Sequence, residues 1–269
     1  MRAHARIHTE RDLTRNGASG TFVRRLRSQG PLVLRPTMEQ LPTWASRWGI
    51  SNNDAATARL VAGAAGPLGG DHLRLDVEVG EGATLMLGAA AATLALPGTH
   101  GTASWSEVNI SVAEGGTLFW SPGTQIAAEN CHHTGFNRID LAAGARLYAR
   151  EEVLLGRHGE PPGRFRQRLR ISQAGTALYD QELAVGDDAP GWNSAAVTGG
   201  RRAVGSVVVV DNSPGNLDCF DTPIPDGCPD TAVMRLAENT VLISSLAADA
   251  IDLRARLNTA FSPFTSATA

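Results

Sequence analysis

A nine-residue pattern occurs three times in this chain, and it limits the possible folds more than any other feature. Residues 77–85 align with 110–118 and with 139–147, at steps of 33 and 29 residues. A fainter copy follows at 171–178, one residue short. Each copy spaces apolar residues two apart, breaks at a glycine-containing turn, and resumes the alternation. Period-two alternation describes a strand with one buried face. Gly82, Gly115 and Gly144 fall where a tight corner demands positive φ. Repeats of this length describe stacked layers, each covering the apolar face of its neighbour. The expected fold is mainly β, a stacked β-layer or β-helix-like sandwich with a few short helices.

The flanks extend this reading. Residues 2–9 alternate polar with small or apolar side chains, as an edge strand would. Two more strands are expected between Thr21 and Leu34 around Gln29-Gly30-Pro31, and a short helix between Met38 and Gly49. Residues 62–71 form a small-residue loop that either admits another backbone closely or moves freely, and residues 88–93 are a second run of small side chains. Val204 to Val210 is apolar at nearly every position, the mark of a strand buried on both faces. Short strands are expected over 233–236 and 240–243. Leu246, Ala250, Leu253 and Leu257 then trace the stripe of an amphipathic C-terminal helix. One domain is expected over 1–261, with 262–269 as a disordered tail.

Bulk properties exclude several classes. A net charge of −3 gives no electrostatic case for nucleic acid or an anionic membrane. No run approaches the length of a membrane span, and the first ten residues lack the apolar core of a signal peptide, so the cytoplasm is expected. All 24 basic residues are arginines, which leaves no lysine for Schiff-base or phosphate-loop chemistry. Cys131, Cys219 and Cys228 are an odd number and read as reduced thiols.

Candidate chemistry is sparse. Cys131-His132-His133 has the ligand types of Ni, Zn or Cu, but adjacent strand residues point to opposite faces. The other reading of this segment is plain surface or interface polarity. Cys219 and Cys228 lack nearby histidines to complete a metal site. Arg164, Arg166, Arg168 and Arg170 share one face of an expected strand, either to hold an acidic partner or as a solvated face. Glu151 and Glu152 could pair with Asp71 or Asp140 for acid–base work on a glycoside. The aromatic content of 5% argues against such a carbohydrate-active enzyme. A purely structural interaction domain is the third reading.

Several segments, taken in order, resemble the urease accessory protein D family, called H in some organisms. They are Gly30-Pro31-Leu32-Val33-Leu34-Arg35-Pro36, Gly69-Gly70-Asp71, Leu118-Phe119-Trp120-Ser121-Pro122, and Asp140 to Ala145 leading into Glu151 and Leu155-Gly156-Arg157. Val204-Gly205 fits a later strand of the family. Ala64-Ala65-Gly66-Pro67 departs from its Pro-Pro-Gly-Gly, and the terminal helix keeps only Ile251 and Arg254 in the places of its Trp and Arg. The resemblance implies a non-enzymatic scaffold with no tightly bound cofactor. It implies binding to the F-type accessory protein, indirect contact with the G-type GTPase, docking on apo-urease, and help in loading nickel. It also implies a passage for transient Ni(II). Asp71 and Glu151 are its candidate lining, with His132 and His133 as weaker metal candidates.

Overall fold

In the computed structural model, which describes residues 1–13 and 19–266, two β-sheets face each other across one core. The first half of the chain supplies β1 (Arg2–Leu13), β2 (Ser19–Arg27), β3 (Leu32–Thr37), β4 (Ala55–Ala62), β5 (His72–Val79), β6 (Thr84–Ala89), β7 (Thr93–Ala95), β8 (Ser104–Val112) and β9 (Thr117–Ser121). The second half supplies β10 (Thr124–Ala127), β11 (His132–Leu141), β12 (Arg146–Leu155), β13 (Arg164–Gln173), β14 (Thr176–Val185), β15 (Ala203–Val210), β16 (Thr231–Ala237) and β17 (Thr240–Ala247). One sheet runs β14-β13-β11-β8-β5-β1-β2. The other runs β16-β17-β15-β12-β9-β6-β4-β3, with β10 and β7 paired beside β12.

The repeat is the stack. In each copy a strand of the first sheet turns at glycine into a strand of the second: β5 to β6, β8 to β9, β11 to β12. Equivalent residues sit side by side, with Val77 opposite Ile110 and Ile110 opposite Ile139. Across the corner, Leu85 faces Leu118, and Leu118 faces Leu147. Gly82, Gly115 and Gly144 have φ of 59°, 64° and 71°, the left-handed conformation that side chains resist. The fourth copy stacks for half its length, because Ile171 pairs with Ile139. Its missing residue leaves a two-residue reversal at Ala174 and Gly175, both at positive φ, as a hairpin requires. The chain therefore returns as β14, antiparallel to β13, and ends the stack instead of crossing to the second sheet.

Other expectations needed correction. β1 is not an edge strand: it lies between β5 and β2, with Ala3, Ala5, Ile7 and Thr9 buried. Alternation reports one buried face and says nothing about lateral neighbours. Between Met38 and Gly49 the expected short helix forms as a 3-10 helix, Thr43–Trp48, beginning directly after Pro42. Leu246 belongs to β17, and the helix α1 starts later, at Ala250–Ser266. Residues 262–266 are thus helical, and Phe264 is fully buried; residues 267–269 lie outside the described part.

Helix α1 covers the outer side of the second sheet. Leu253, Leu257, Ala260, Phe261 and Phe264 face a layer that includes Trp44, Trp48 and Phe220. Trp44 stands at the centre of that layer, 5.2 Å from Phe261 and 5.4 Å from Phe119 between ring centroids. Strand β15 is buried on both sides, as its composition indicates: Val207 and Val209 face the helix layer, Val208 and Val210 the inter-sheet core. A Cβ on Gly205 would lie 2.9 Å from Leu257 Cδ1, so glycine lets the helix approach the sheet. No helix among the described residues is long and apolar enough to cross a membrane.

Candidate functional site: a polar seam between the sheets

The inward face of the stack is apolar through Ile139, Leu141, Leu169 and Ile171, but the same alternation carries polar groups further along those strands. On β11 the inward positions are His133, Gly135 and Asn137. Their partners on β13 are Phe165, Gln167 and Leu169, and on β8 they are Ser104, Ser106 and Val108. From the second sheet, Glu151 on β12 meets this row. The result is a line of buried polar side chains inside the sandwich.

His133 is 2% exposed and held at both ring nitrogens, with Ser104 Oγ 2.9 Å from Nδ1 and Ser106 Oγ 3.1 Å from Nε2. Burial pushes its pKa down to about 4, so the imidazole is neutral and one nitrogen donates while the other accepts. The Asn137 amide donates to Glu151 Oε1. Burial pushes the Glu151 carboxyl up to about 7, against the lowering effect of that bond. Gln167 is buried, and neither its amide nitrogen nor its oxygen has a partner among the described residues. Gly135 makes room for it, since a Cβ there would overlap Gln167 Oε1. An amide with no protein partner at either end is costly in an apolar interior.

Two cavities open onto the seam. The larger, about 240 Å³, is lined by His133 and Asn137 among others. The smaller, about 50 Å³, is lined by Glu151, Gln167, Tyr179, Gln181 and Ser206. The Asn137–Glu151 bond joins them. Burial, followed by the nearby Glu151 charge, pushes Tyr179 up to about 12.

The residues singled out from the sequence fall in separate places. Asp71 is buried in the loop before β5; its Oδ1 lies 2.8 Å from the Met1 amine, and its Oδ2 accepts the Leu68 N–H at 3.0 Å. It therefore braces Gly66 and Pro67, which line the larger cavity. It does not meet Glu151. His132 points away from His133, half-exposed on the outer face, as strand geometry requires. Cys131 is buried, and burial pushes its thiol up to about 11. Among the described residues, no three His, Cys, Asp or Glu side chains converge as metal ligands.

Glu152 faces the helix side of β12. Burial alone would raise its pKa, but Arg150 at 2.8 Å, Thr124 at 2.8 Å and Arg254 at 2.9 Å hold it below the ordinary carboxylate value. Asp140 lies on the outer face, with Arg138 and Ser172 each at 2.6 Å. The four carboxylates weighed for glycoside chemistry thus occupy four different settings. The arginine row of β13 is a solvated face: Arg166 and Arg168 pair with Glu182 and Asp180 on β14 at 2.9 and 2.7 Å.

Sequence reading missed Asn137, Gln167, Ser104 and Ser106. Their signal was present: they stand in the same alternating phase as Val108, Ile110, Ile139, Leu141, Leu169 and Ile171 further along those strands.

A family model described as UreD urease accessory protein matches residues 1–268. The chain is 40% identical over 265 residues to urease accessory protein UreD 3 of Streptomyces griseus subsp. griseus, covering 97% of this chain and 95% of that protein. It is 39% identical to urease accessory protein UreD of Streptomyces avermitilis, with 97% of each chain covered. It is 38% identical to urease accessory protein UreD of Frankia alni over 98% of this chain and 93% of that one. These relatives are named as accessory proteins and not as enzymes. On a family match across nearly its whole length and on identities of this size, the chain belongs to the UreD urease accessory protein family.

Proposed function

We propose that this protein is a non-enzymatic scaffold for urease maturation in the cytoplasm. It bridges apo-urease to the F-type accessory protein and, through it, to the G-type GTPase. Transient Ni(II) is its cargo, and the seam between the sheets is the route. The observation that carries the reading is the buried polar line from His133 and Asn137 to Glu151 and Gln167, beside a core cluster of apolar side chains. Ni(II) accepts imidazole, carboxylate and amide-oxygen ligands. Transit needs ligands that are few and replaceable, not a closed cage, and the seam offers such groups one or two at a time. Glu151, with its pKa near 7, changes charge close to physiological pH. Asp71 contributes by holding the loop beside one mouth.

The test is co-expression with the urease subunits and the F- and G-type proteins, followed by purification through a tag on this chain. The proposal expects all partners to co-purify, and urease to lack nickel when this chain is omitted. Full urease activation without the chain, or failure to retain the F-type protein or urease, would overturn it.

A further inference from the structure

The larger cavity has features that the nickel route does not use. Its mouth is framed by two runs of small residues, with Ala62 and Ala64 on one side and Ala90 to Ala92 on the other, all exposed. Its walls are Leu73, Leu75 and the Trp120 ring. Hydrated cations gain nothing from methyl walls, and an apolar void forfeits dispersion contacts on every side. At about 240 Å³ the space exceeds the roughly 150 Å³ apolar cavity that stays dry in another protein and takes up benzene.

Polar groups stand at the inner end. His133 and Asn137 reach the lining, with Ser106 beside them. The Trp120 indole N–H is buried and has no acceptor among the described residues. Among the described residues the lining's one ionised side chain is Glu107, half-exposed and bonded to Asn109 at 2.9 Å. Among the described residues no arginine lines the cavity, so its walls offer a carboxylate guest no counter-charge.

We propose that this cavity binds an uncharged, mainly apolar small molecule that carries one hydrogen-bonding group. Its hydrocarbon part lies against the alanine-framed walls, and its polar end reaches the Trp120 indole and the His133–Asn137 end. This matches the usual make-up of a ligand pocket, an apolar enclosure with a few convergent polar groups.

The test titrates the full-length chain, free of metal, with 1-hexanol, and with hexanoate and hexylamine as charged counterparts. Calorimetry reads the affinity, and nitrogen-15 NMR follows the Trp120 indole resonance. Hexanol is expected to bind saturably at one site and to shift that resonance, with both charged analogues weaker by about tenfold or more. Ala91→Phe and Ala64→Phe, at opposite exposed rims, should each weaken hexanol by about tenfold or more while leaving the melting temperature in place. Two independent rim variants guard against one that fails to fold. Absence of saturable hexanol binding, equal affinity for the charged analogues, or hexanol affinity unchanged in both rim variants would overturn the proposal. Because no nickel is present, failure here leaves the nickel route standing.

Discussion

Replacing Glu151 with Gln removes one ionisable proton from the seam and keeps its shape. The carboxyl meets Asn137 on β11 and shares a cavity with Gln167 on β13, Tyr179 on β14 and Ser206 on β15; among the described residues none that lines this cavity is a cation. Arg150, its chain neighbour, is committed to Glu152. With no counter-charge, burial lifts the carboxyl from 4.5 to about 7. Between those values the folded chain holds a proton that the unfolded chain releases. Folding therefore binds protons in this window, and stability falls as pH rises through it. At about 1.4 kcal/mol for each tenfold in proton affinity, the loss is about 3 kcal/mol. It is absent below the unfolded value and complete above the folded one. Glutamine does not titrate and still offers an oxygen to Asn137. Urea unfolding of both proteins at matched pH cancels the depressed carboxylates they share, such as Asp76 and Glu152, whose contribution instead falls as pH drops. The variant should equal the parent near pH 4.5 and exceed it by about 2–3 kcal/mol at pH 8. An advantage independent of pH, or a variant less stable at pH 8, would refute the reasoning.

Two further substitutions test the frame. Gly144→Val places a β-branched residue at φ 71°, where an added Cβ finds its nearest neighbour 3.9 Å away. The cost is backbone strain alone, about 1–2 kcal/mol, visible as a lower melting temperature; an unchanged melt would mean the turn does not need glycine. Phe264→Ala empties a fully buried site in the helix layer and should cost about 3–5 kcal/mol by thermal or urea unfolding. A loss under about 1 kcal/mol would return residues 262–266 to a dispensable tail.

The stack was legible because three copies of one pattern leave little freedom: alternation fixes the faces, and positive-φ glycines fix the corners. The fate of the fourth copy was also written in its length, since one residue fewer favours a hairpin over a corner. What the sequence withheld was lateral order. The alternation in β1 is the same whether the strand lies at an edge or, as found, between β5 and β2. The helix start was misjudged because Leu246 fits a helical stripe and a strand equally well. At the site, Glu151 was legible beside Glu152 as a carboxylate pair, yet the two do not share a setting: Glu151 meets Asn137 inside the sandwich and Glu152 meets Arg150 on the helix side, because adjacent strand residues face opposite sides. Gln167 looks like any polar strand residue until register sets it against Gly135.

Nickel content of urease matured with the Glu151→Gln chain tests the central claim most directly. Urease is purified from cells that co-express the accessory proteins at limiting nickel, and metal per active site is measured beside the parent. The account predicts a variant chain that folds, co-purifies with its partners and is more stable above neutral pH, yet leaves urease depleted in nickel and activity. Full nickel occupancy with that variant would contradict a route through the seam.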